Sequence, residues 1–494
     1  MLPHIGQGSA HGGGGSSERG SSTRQGYAAV RTYYGAVSSP PDVPQRRSRD
    51  RRRRRRPWGF ILIGLAVVLV LLGAGGWWAW DQRHPAEVTG NSTEEFVTTQ
   101  APETTTSTAA APVAQDWPTY GFDNARTRWN PDLRHKPPFA TQWTFHAQSL
   151  LEFPPSVADG MLYVGQLRGR FFAVDTDTGA IRWRKSMHHC SAASPAIADG
   201  VVYASFLAEY PCPKGELGTG GFVVAWDAKT GERKWLANLP PVESSPLVQD
   251  GTVYVGAWDN RVYALDAATG VVKWSTPTDA QIVSSASWVD GSVAGGSPAI
   301  VIGTNGGSLY ELDAATGAIR WKAQSNSVLG SGREYFYATP TVAYGRVFIG
   351  NTDGWVYAYG AQSGKLIWAR HAGSYVYTGL VAAGEVIYAG TYDGRVIAYD
   401  AATGGELWSI DAPGAVHGAM VLMDGLLYFS TCSGCGQNGV RTSKHGPDGI
   451  HAVDISTHQI VWNDPDGKYS PLVADADHVY LVGEGTIRGT TSAG

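Results

Sequence analysis

One short unit is copied down most of this chain, and its clearest copy runs from Asp250 to Trp274 as DGTVYVGAWDNRVYALDAATGVVKW. Two runs of alternating apolar residues are separated by an Asp-Asn turn. An Ala-Ala-Thr-Gly turn then leads to a last short run that ends on the tryptophan. Period-two alternation between turns of this composition predicts antiparallel β-hairpins. A repeat of this kind predicts an all-β architecture in which each unit packs against its neighbours.

The copies end on tryptophans that are spaced by 39 to 54 residues, which is the spacing of propeller blades. Two copies depart from the Asp-x-x-x-Gly turn: Gly360 replaces the aspartate, and His458 replaces the glycine. Trp143 has no hairpin before it, and residues 469–487 have strands but no tryptophan after them, so the two parts are expected to form one composite blade. The sequence therefore predicts an eight-bladed β-propeller with blade-packing tryptophans Trp143, Trp183, Trp235, Trp274, Trp321, Trp368, Trp408 and Trp462.

The N-terminal part of the chain has a different composition. Residues 1–56 contain twelve arginines and three acidic residues, a net charge of +9, while the whole chain of 494 residues carries −4. The remainder is therefore acidic, with a net charge of −13. Because residues 1–56 lack a sustained hydrophobic period, we expect a disordered cationic tail. Nucleic-acid binding is the alternative role for the arginine run, but its position before an apolar segment favours a role in membrane topology.

That apolar segment, residues 57–80, contains no charged residue. At ~1.5 Å per residue its length of about 34 Å is enough to span a bilayer. Tryptophans at both ends are typical of membrane interfaces, and the 56 residues ahead of it are too many for a cleavable signal peptide. We therefore predict a single-pass plasma-membrane protein with residues 1–56 in the cytoplasm. Residues 81–115, rich in Thr, Ser and Pro, would be a flexible linker to an extracytoplasmic propeller over residues 116–494.

Two motifs resemble a known family. The copied A-x-D-x-x-T-G-x-x-x-W unit resembles the pyrroloquinoline-quinone (PQQ) type propeller repeat. The W-x-x-Y-G…R…N-P-x-L run that begins at Trp117 resembles the opening segment of periplasmic quinoprotein alcohol dehydrogenases. The resemblance covers about residues 116–485 and implies the propeller fold. It implies two kinds of function, since such repeats serve quinoprotein dehydrogenases and also the non-enzymatic propeller assembly factor of the outer-membrane protein machinery.

The enzymatic alternative has identifiable requirements. In the family, the chemistry uses a Ca²⁺ ion held by Glu, Asn and Asp, together with an aspartate base. A tryptophan lies beneath the quinone, and a disulfide joins two adjacent cysteines. This chain has no Cys-Cys pair, and no ligand motif matches, although Glu152, Glu243, Trp288 and residues 333–334 stand at possible positions. No catalytic residue and no metal site are predicted. PQQ and Ca²⁺ remain the cofactors of the alternative.

A binding site is expected on one face of the disc, where the irregular loops collect. Long insertions are predicted there in blades 2 and 7, at residues 207–220 and 432–448. Counting back seven residues from each inner turn reaches equivalent positions near the mouth of the axial funnel: Glu152, Ala192, Glu243, Val283, Tyr337, Val376, His417 and Lys468. The polar members, Glu152, Glu243, Tyr337, His417 and Lys468, are the candidate binding residues. The alternative is that they line an ordinary water-filled channel.

The four cysteines fit an extracytoplasmic location. Cys190 and Cys212 are expected on the same face and are predicted to form a disulfide. Cys432 and Cys435 form a CxxC motif, for which a local disulfide is the first interpretation. A zinc site completed by His445 or His451, and a redox-active pair, are the alternatives.

These features predict a membrane-anchored, monomeric propeller that acts as a non-catalytic binding or scaffolding module for a protein or envelope partner, without binding nucleic acid. The alternative is a PQQ-dependent dehydrogenase that oxidises an alcohol or sugar. A cell-surface sensor that signals through residues 1–56 is a further possibility.

Overall fold

The computed structural model describes residues 66–73, 86–98, 116–212, 220–325, 335–377, 379–435 and 443–493. Residues 66–73 and the β-structure belong to two separate compact units. Residues 66–73 form a short helix with exposed side chains. No helix within the described ranges has the length and apolarity to cross a bilayer. The rest of the predicted span, residues 57–65 and 74–80, and all of the cationic tail lie outside the described residues.

The β-structure consists of eight four-stranded antiparallel sheets, which confirms the predicted eight-bladed propeller. The strands alternate with the Gly, Asn and Asp turns of the repeat, and each sheet buries both faces against its neighbours. The strands of blades 1 to 4 are β2 (Ser156–Ala158), β3 (Met161–Gly165), β4 (Arg170–Asp175), β5 (Ile181–Ser186); β6 (Ala196–Ala198), β7 (Val201–Phe206), β8 (Gly221–Asp227), β9 (Arg233–Leu239); β10 (Leu247–Gln249), β11 (Thr252–Ala257), β12 (Arg261–Asp266), β13 (Val272–Pro277); and β14 (Ser287–Val289), β15 (Ala299–Gly303), β16 (Ser308–Asp313), β17 (Ile319–Gln324).

Blades 5 to 8 complete the ring. Their strands are β18 (Thr341–Ala343), β19 (Arg346–Gly350), β20 (Trp355–Gly360), β21 (Leu366–His371); β22 (Val381–Ala383), β23 (Val386–Gly390), β24 (Arg395–Asp400), β25 (Glu406–Asp411); β26 (Val416–Met423), β27 (Leu426–Thr431), β28 (Gly449–Asp454), β29 (Gln459–Asp464); and β30 (Leu472–Ala474), β31 (Val479–Val482), β32 (Thr486–Ser492) with β1 (Phe139–His146). Blade 8 has the order β30-β31-β32-β1, so it is the predicted composite blade. Contacts between β2 and β30 close the ring.

The tryptophan of one blade packs on the glycine turn of the next. The Trp235 indole Nε1 donates a hydrogen bond of 2.9 Å to the Ala267 carbonyl. A Cβ added at Gly270, where φ is +74°, would lie 2.6 Å from the Trp235 ring. The glycine is therefore required twice, for its left-handed backbone and for the space above it. The same contact joins Trp143, Trp183, Trp274, Trp321 and Trp368 to the following blades.

Blade 7 carries out this packing with a different residue. His458, at φ +59°, occupies the place of the turn glycine. Its imidazole stacks on the ring of Trp408 with the centroids 4.7 Å apart. The substitution seen in the sequence thus exchanges a ring-on-backbone contact for a ring-on-ring contact.

The two turn glycines of blade 3 allow the two requirements for glycine, a left-handed backbone and space for the indole, to be measured separately. Gly270→Ala and Gly251→Ala both place a side chain at positive φ, but a Cβ at Gly251 meets no atom within 4 Å. We expect Gly251→Ala to cost about 1–2 kcal/mol of unfolding free energy. Gly270→Ala should cost about 1–3 kcal/mol more, because the added methyl overlaps the indole. Denaturant unfolding measures both; equal losses would show that the indole contact makes no contribution.

Residues 86–98, here called the strap, lie within the predicted flexible linker and pack against blades 5 and 6. Val88 forms a β-bridge with Ala369. The buried Arg346 guanidinium donates to the strap carbonyls of Asn91, Glu94 and Glu95 and to two carbonyls of blade 6, at 2.6–3.2 Å. All five guanidinium N–H groups are used in this way. The strap is therefore part of the propeller, and the remaining linker residues, 81–85 and 99–115, lie outside the described residues.

The strap also supplies the carboxylate that blade 5 lacks. In blade 4 the Asp313 carboxylate accepts hydrogen bonds from the backbone and hydroxyl of Thr316 and thereby stabilises the turn. Blade 5 has Gly360 at the equivalent position. There the Glu95 carboxylate of the strap accepts the N–H groups of Gln362 and Ser363, at 2.9 and 3.3 Å. A Cβ at Gly360 would collide with that carboxylate, so the glycine makes room for it.

Exchanging the two carboxylates tests this substitution. Glu95→Ala should lower the unfolding free energy by about 1–2 kcal/mol, since charge-assisted turn hydrogen bonds are lost. Gly360→Asp alone should also destabilise, because it places two carboxylates together. The double variant Glu95→Ala/Gly360→Asp should recover most of the loss in thermal unfolding. Glu94→Ala is the matched control, because it removes an exposed ion pair in which Glu94 Oε1 and Lys365 Nζ are 3.9 Å apart. Additive losses in the double variant would contradict the exchange.

Candidate functional site

The five candidate residues lie on one rim of the propeller axis. Glu152, Glu243, Tyr337 and Lys468 precede the innermost strands β2, β10, β18 and β30, and His417 lies at the start of β26. The loops between second and third strands reach the same rim. The opposite face carries the short turns of the repeat.

Rings from blades 5 to 8 form a continuous aromatic wall around one side of the axis. Tyr377 lies between Tyr337 and His417, with centroid distances of 5.5 and 4.9 Å. Tyr469 contacts His417 edge-on at 5.4 Å. The Tyr392 hydroxyl is 2.7 Å from His417 Nδ1. The aromatic wall is defined by these five residues: Tyr337, Tyr377, Tyr392, His417 and Tyr469.

Two carboxyls from blades 1 and 3 face this wall. Glu243 is 8% exposed, and its Oε2 accepts a hydrogen bond of 2.9 Å from the Trp258 indole. Burial raises the pKa of Glu152 to about 7. Burial, together with the nearby Glu152, raises the pKa of Glu243 to about 8. Both carboxyls also act electrostatically on Tyr377, whose pKa is raised mainly by its own burial. Groups from opposite sides of the ring therefore approach one another at the axis.

Lys468 lies at the edge of the site and is already paired. Its Nζ is 3.3 Å from the Asp448 carboxylate and 3.2 Å from the Glu484 carboxylate. The ammonium is also 5.5 Å from the Tyr469 ring centroid. Lys468 thus connects the blade 7 insertion to blade 8.

Both predicted disulfides are present and stand behind the site. Cys190 and Cys212 are bonded, and Cys190 packs in a cluster with Trp258. Cys432 and Cys435 are bonded and pack with Tyr392. The bond between Cys432 and Cys435 agrees with the local disulfide that was the first interpretation of the CxxC motif. His451 donates to or accepts from the Thr431 hydroxyl at 3.0 Å, and burial lowers its pKa to about 4.

The other end of the axis is covered by residues 116–135, here called the closing segment. It runs across all eight blades and bonds to each innermost strand or the turn that follows it. The contacts are Trp117 with Val157, Pro118 O with Ile197 N, Asn124 with Val248 O and Trp288 N, Ala125 O with Val342 N, Thr127 O with Ala382 N, Arg128 O with Leu422 N, and His135 Nε2 with Asp475 O. The closing segment therefore covers one end of the axis.

Two buried arginines of the closing segment form the floor. The Arg126 guanidinium donates to the carbonyls of Tyr120, Pro246 and Ala286, directly before β10 and β14. Arg128 Nη1 donates to the Leu380 carbonyl at 3.2 Å, and its guanidinium is 5.1 Å from the Tyr120 ring centroid. These residues of the opening motif hold the segment in place through backbone carbonyls.

Fixed-interval counting missed part of the site. It selected Val376, whose side chain is buried against Gly350, whereas the neighbouring Tyr377 faces the axis. Tyr392 and Trp258 lie in loops that the counting did not include. The alternating tyrosines of the SYVYTG stretch are the signal that could have found Tyr377, because a link with period two points alternate residues to the axis.

The family profile described as outer membrane protein assembly factor BamB matches residues 123–208, 217–288 and 276–491. These stretches reach from the closing segment to β32 and cover well over half of the chain. The chain belongs to this family. The resemblance to PQQ-type propeller repeats is confirmed by this match, which places the chain among BamB-type propellers.

Two curated relatives show the range of proteins that share the repeat. The quinohemoprotein alcohol dehydrogenase of Comamonas testosteroni is 28% identical over 169 residues, 33% of this chain and 18% of that protein. The BamB protein of Yersinia pestis is 30% identical over 152 residues, 28% of this chain and 35% of that protein. Since the chain spans about a fifth of the first relative and about a third of the second, the alignments establish shared repeats.

A solved structure agrees with the fold. BamB from Moraxella catarrhalis has a TM-score of 0.56 and 16% identity, covering 72% of this chain and 99% of that one. At that identity the similarity concerns the propeller architecture.

The described residues do not fit a calcium–quinone site. Calcium requires six to eight oxygen ligands around one point. Within the described ranges, no group of three or more His, Cys, Asp or Glu side chains could hold a metal ion. Trp288 lies in β14 and packs against Tyr254 in the core, so it does not form a surface at the axis. Residues 333–334 lie outside the described residues.

The raised pKa of Glu243 makes stability depend on pH. Between about pH 4.5 and pH 8 the folded protein keeps a proton that the unfolded chain releases. The unfolding free energy should therefore fall with rising pH in this window, by about 1.4 kcal/mol per pH unit from this group.

Glu243→Gln should remove that slope, so the variant should match the native chain at low pH and exceed its stability above pH 8. Urea unfolding across this range measures the difference. Glu232→Gln, at an exposed turn of the opposite face, is the control. Parallel pH dependences for Glu243→Gln and the native chain would contradict the assignment.

Proposed function

We propose that the chain is a binding module of the cell envelope, and that its loop-rich face holds a protein or envelope partner. The observation that carries the proposal is the asymmetry of the disc. One face combines the axial site with two insertions tied by disulfides, while the closing segment and short turns cover the other. A rigid scaffold with irregular loops on one rim is typical of binding proteins.

The family supports a protein as the partner. The family description and the Yersinia relative both refer to assembly of outer-membrane proteins, which is a task of protein binding. A stable complex needs about 1,000 Å² or more of interface. The loop-rich face, with eight blades of links and insertions around the site, offers enough area for this.

Anchoring belongs to the same proposal. Residues 57–80 would hold the chain in the plasma membrane, with the cationic residues 1–56 in the cytoplasm and a monomeric propeller outside. The disulfides Cys190–Cys212 and Cys432–Cys435 support an oxidising, extracytoplasmic location for the propeller. The dehydrogenase alternative would need a calcium–quinone site, and within the described ranges no group of three or more His, Cys, Asp or Glu side chains could hold a metal ion.

Site-specific photo-crosslinking of the full chain in its native membranes tests the binding face. A benzophenone amino acid at Tyr210, 45% exposed in the blade 2 insertion, should form adducts with the partner. The same probe at Val271, 65% exposed beside a turn of the opposite face, should not. The difference follows from the asymmetry of the two faces.

A second arm addresses the axial site. Combining Glu243→Gln, Tyr337→Ala and His417→Ala should lower the yield of the Tyr210 adduct by about tenfold, since buried central residues dominate binding energy. A single cooperative thermal transition, well above the temperature of the experiment, serves as the folding control. Equal adducts from Tyr210 and Val271, or an unchanged yield in the triple variant, would contradict the proposal.

A further inference from the structure

We propose that the axial site binds a positively charged group, an alkylammonium or a guanidinium, between the aromatic wall and the carboxyls of Glu152 and Glu243. This inference rests on the proposed function, and it names the chemistry of the group that enters the site. The nearest sources of such a group are a lysine or arginine side chain of a protein partner and a free amine.

The aromatic wall supplies the first half of the site. The faces of tyrosine rings attract cations at distances up to about 6 Å from the ring centroid, and the attraction grows when water is excluded. The hydroxyls of Tyr337, Tyr377 and Tyr469 make no hydrogen bond with the described residues, so the wall is not closed upon itself. By contrast, the Tyr392 hydroxyl is bonded to His417. A ligand can therefore meet aromatic rings and free hydroxyls.

The carboxyls supply the second half. Glu243 is nine-tenths buried, and among the described residues Trp258 is its one side-chain hydrogen-bond partner, through Oε2. The Glu152 carboxyl has no hydrogen bond or ion pair within the described ranges. Glu152 is partly exposed and Glu243 is buried, and neither acid forms an ion pair within the described ranges. Taking an acid out of water without a charged partner costs free energy, which makes it a mark of a binding site. Both acids interact electrostatically with Tyr377, so they face the aromatic wall.

The other charges around the site do not provide the missing partner. Lys468 is neutralised by Asp448 and Glu484 at the edge of the site. At the floor, Arg126 and Arg128 donate to backbone carbonyls, and both lie near Asp123. The chain beyond residue 56 carries a net charge of −13, which favours the approach of a cation.

Protonation gives the binding a distinctive pH dependence. A cation binds to ionised carboxyls, and the acids of the site are largely neutral below their raised pKa values of about 7 and about 8. Binding should therefore release protons near neutral pH and become tighter as the pH rises through this range. The other titratable groups that face the carboxyls are His417, Tyr337, Tyr377, Tyr392 and Tyr469. The double variant Glu152→Gln/Glu243→Gln distinguishes the contribution of these groups to the pH dependence from that of the two carboxyls.

Isothermal titration of the full chain in nanodiscs is the test. The probes are the peptide acetyl-Gly-Lys-Gly-amide, its uncharged norleucine analogue, and the diamine putrescine. We expect a cationic probe to bind at least about tenfold more tightly at about pH 9 than at about pH 6. The neutral peptide should show no such gain. Titrations in buffers of different ionisation enthalpy should reveal proton release on binding.

Matched variants locate the binding. Glu243→Gln should weaken the cationic probe about tenfold at high pH, and Glu152→Gln/Glu243→Gln should also flatten the pH profile. Tyr377→Leu should weaken it by about threefold or more, whereas Tyr377→Phe, which keeps the ring face, should retain most of the affinity. Glu232→Gln on the opposite face should leave it unchanged. Tighter binding of the peptide supports a partner side chain as the source, and tighter binding of putrescine supports a free amine.

Three results would overturn the inference: no binding of either cation, equal binding of the norleucine peptide, or an affinity that is independent of pH. Each is distinguishable from failure of the proposed function. If the Tyr210 crosslinks persist while the cations do not bind, the loop-rich face remains a binding surface and its axial group is of another chemistry.

Discussion

Neighbouring blades are held together by the contact between a tryptophan ring and a turn glycine. An indole can lie flat on a turn only if the turn has no Cβ there, and the turn can have its backbone conformation only if that residue tolerates positive φ. Gly270 meets both conditions beneath Trp235. Because this contact recurs around most of the ring, the blades have uniform spacing, and the links on the opposite rim are free to differ. The axial site depends on this difference between a uniform face of turns and a variable face of links.

Buried arginines solve a second problem, which is how irregular chain is attached to a regular ring. Arg346 and Arg126 bury their guanidinium groups and donate hydrogen bonds to backbone carbonyls. A guanidinium distributes one charge over five N–H groups, so it can bind carbonyls from three segments at once. The strap and the closing segment are both fixed in this way. A backbone carbonyl is present whatever the partner residue is, which is why these contacts leave little trace in a sequence.

The ring itself could be predicted because its contacts are repeated. The tryptophan spacing, the orphan Trp143 and the unmatched C-terminal strands were enough to predict eight blades with a composite closure. The strap could not be predicted, although Gly360 was a visible irregularity, because the compensating Glu95 is far away in the sequence and in a segment of linker composition. The axial site was predicted in part. Glu152, Glu243, Tyr337 and His417 converge, whereas Tyr377 was missed because links of unequal length do not keep the register of the strands.

The composite blade has a consequence for the order of events during synthesis. β1 is among the first strands to be made and β32 the last, yet they pair along their whole length from Phe139–Ser492 to His146–Thr486. Until residue 492 has left the ribosome, β1 presents an unpaired edge to its surroundings, and such edges recruit other strands. The nascent chain is thus an open arc with a reactive end. The ring can protect this edge only after the last strand has been synthesised.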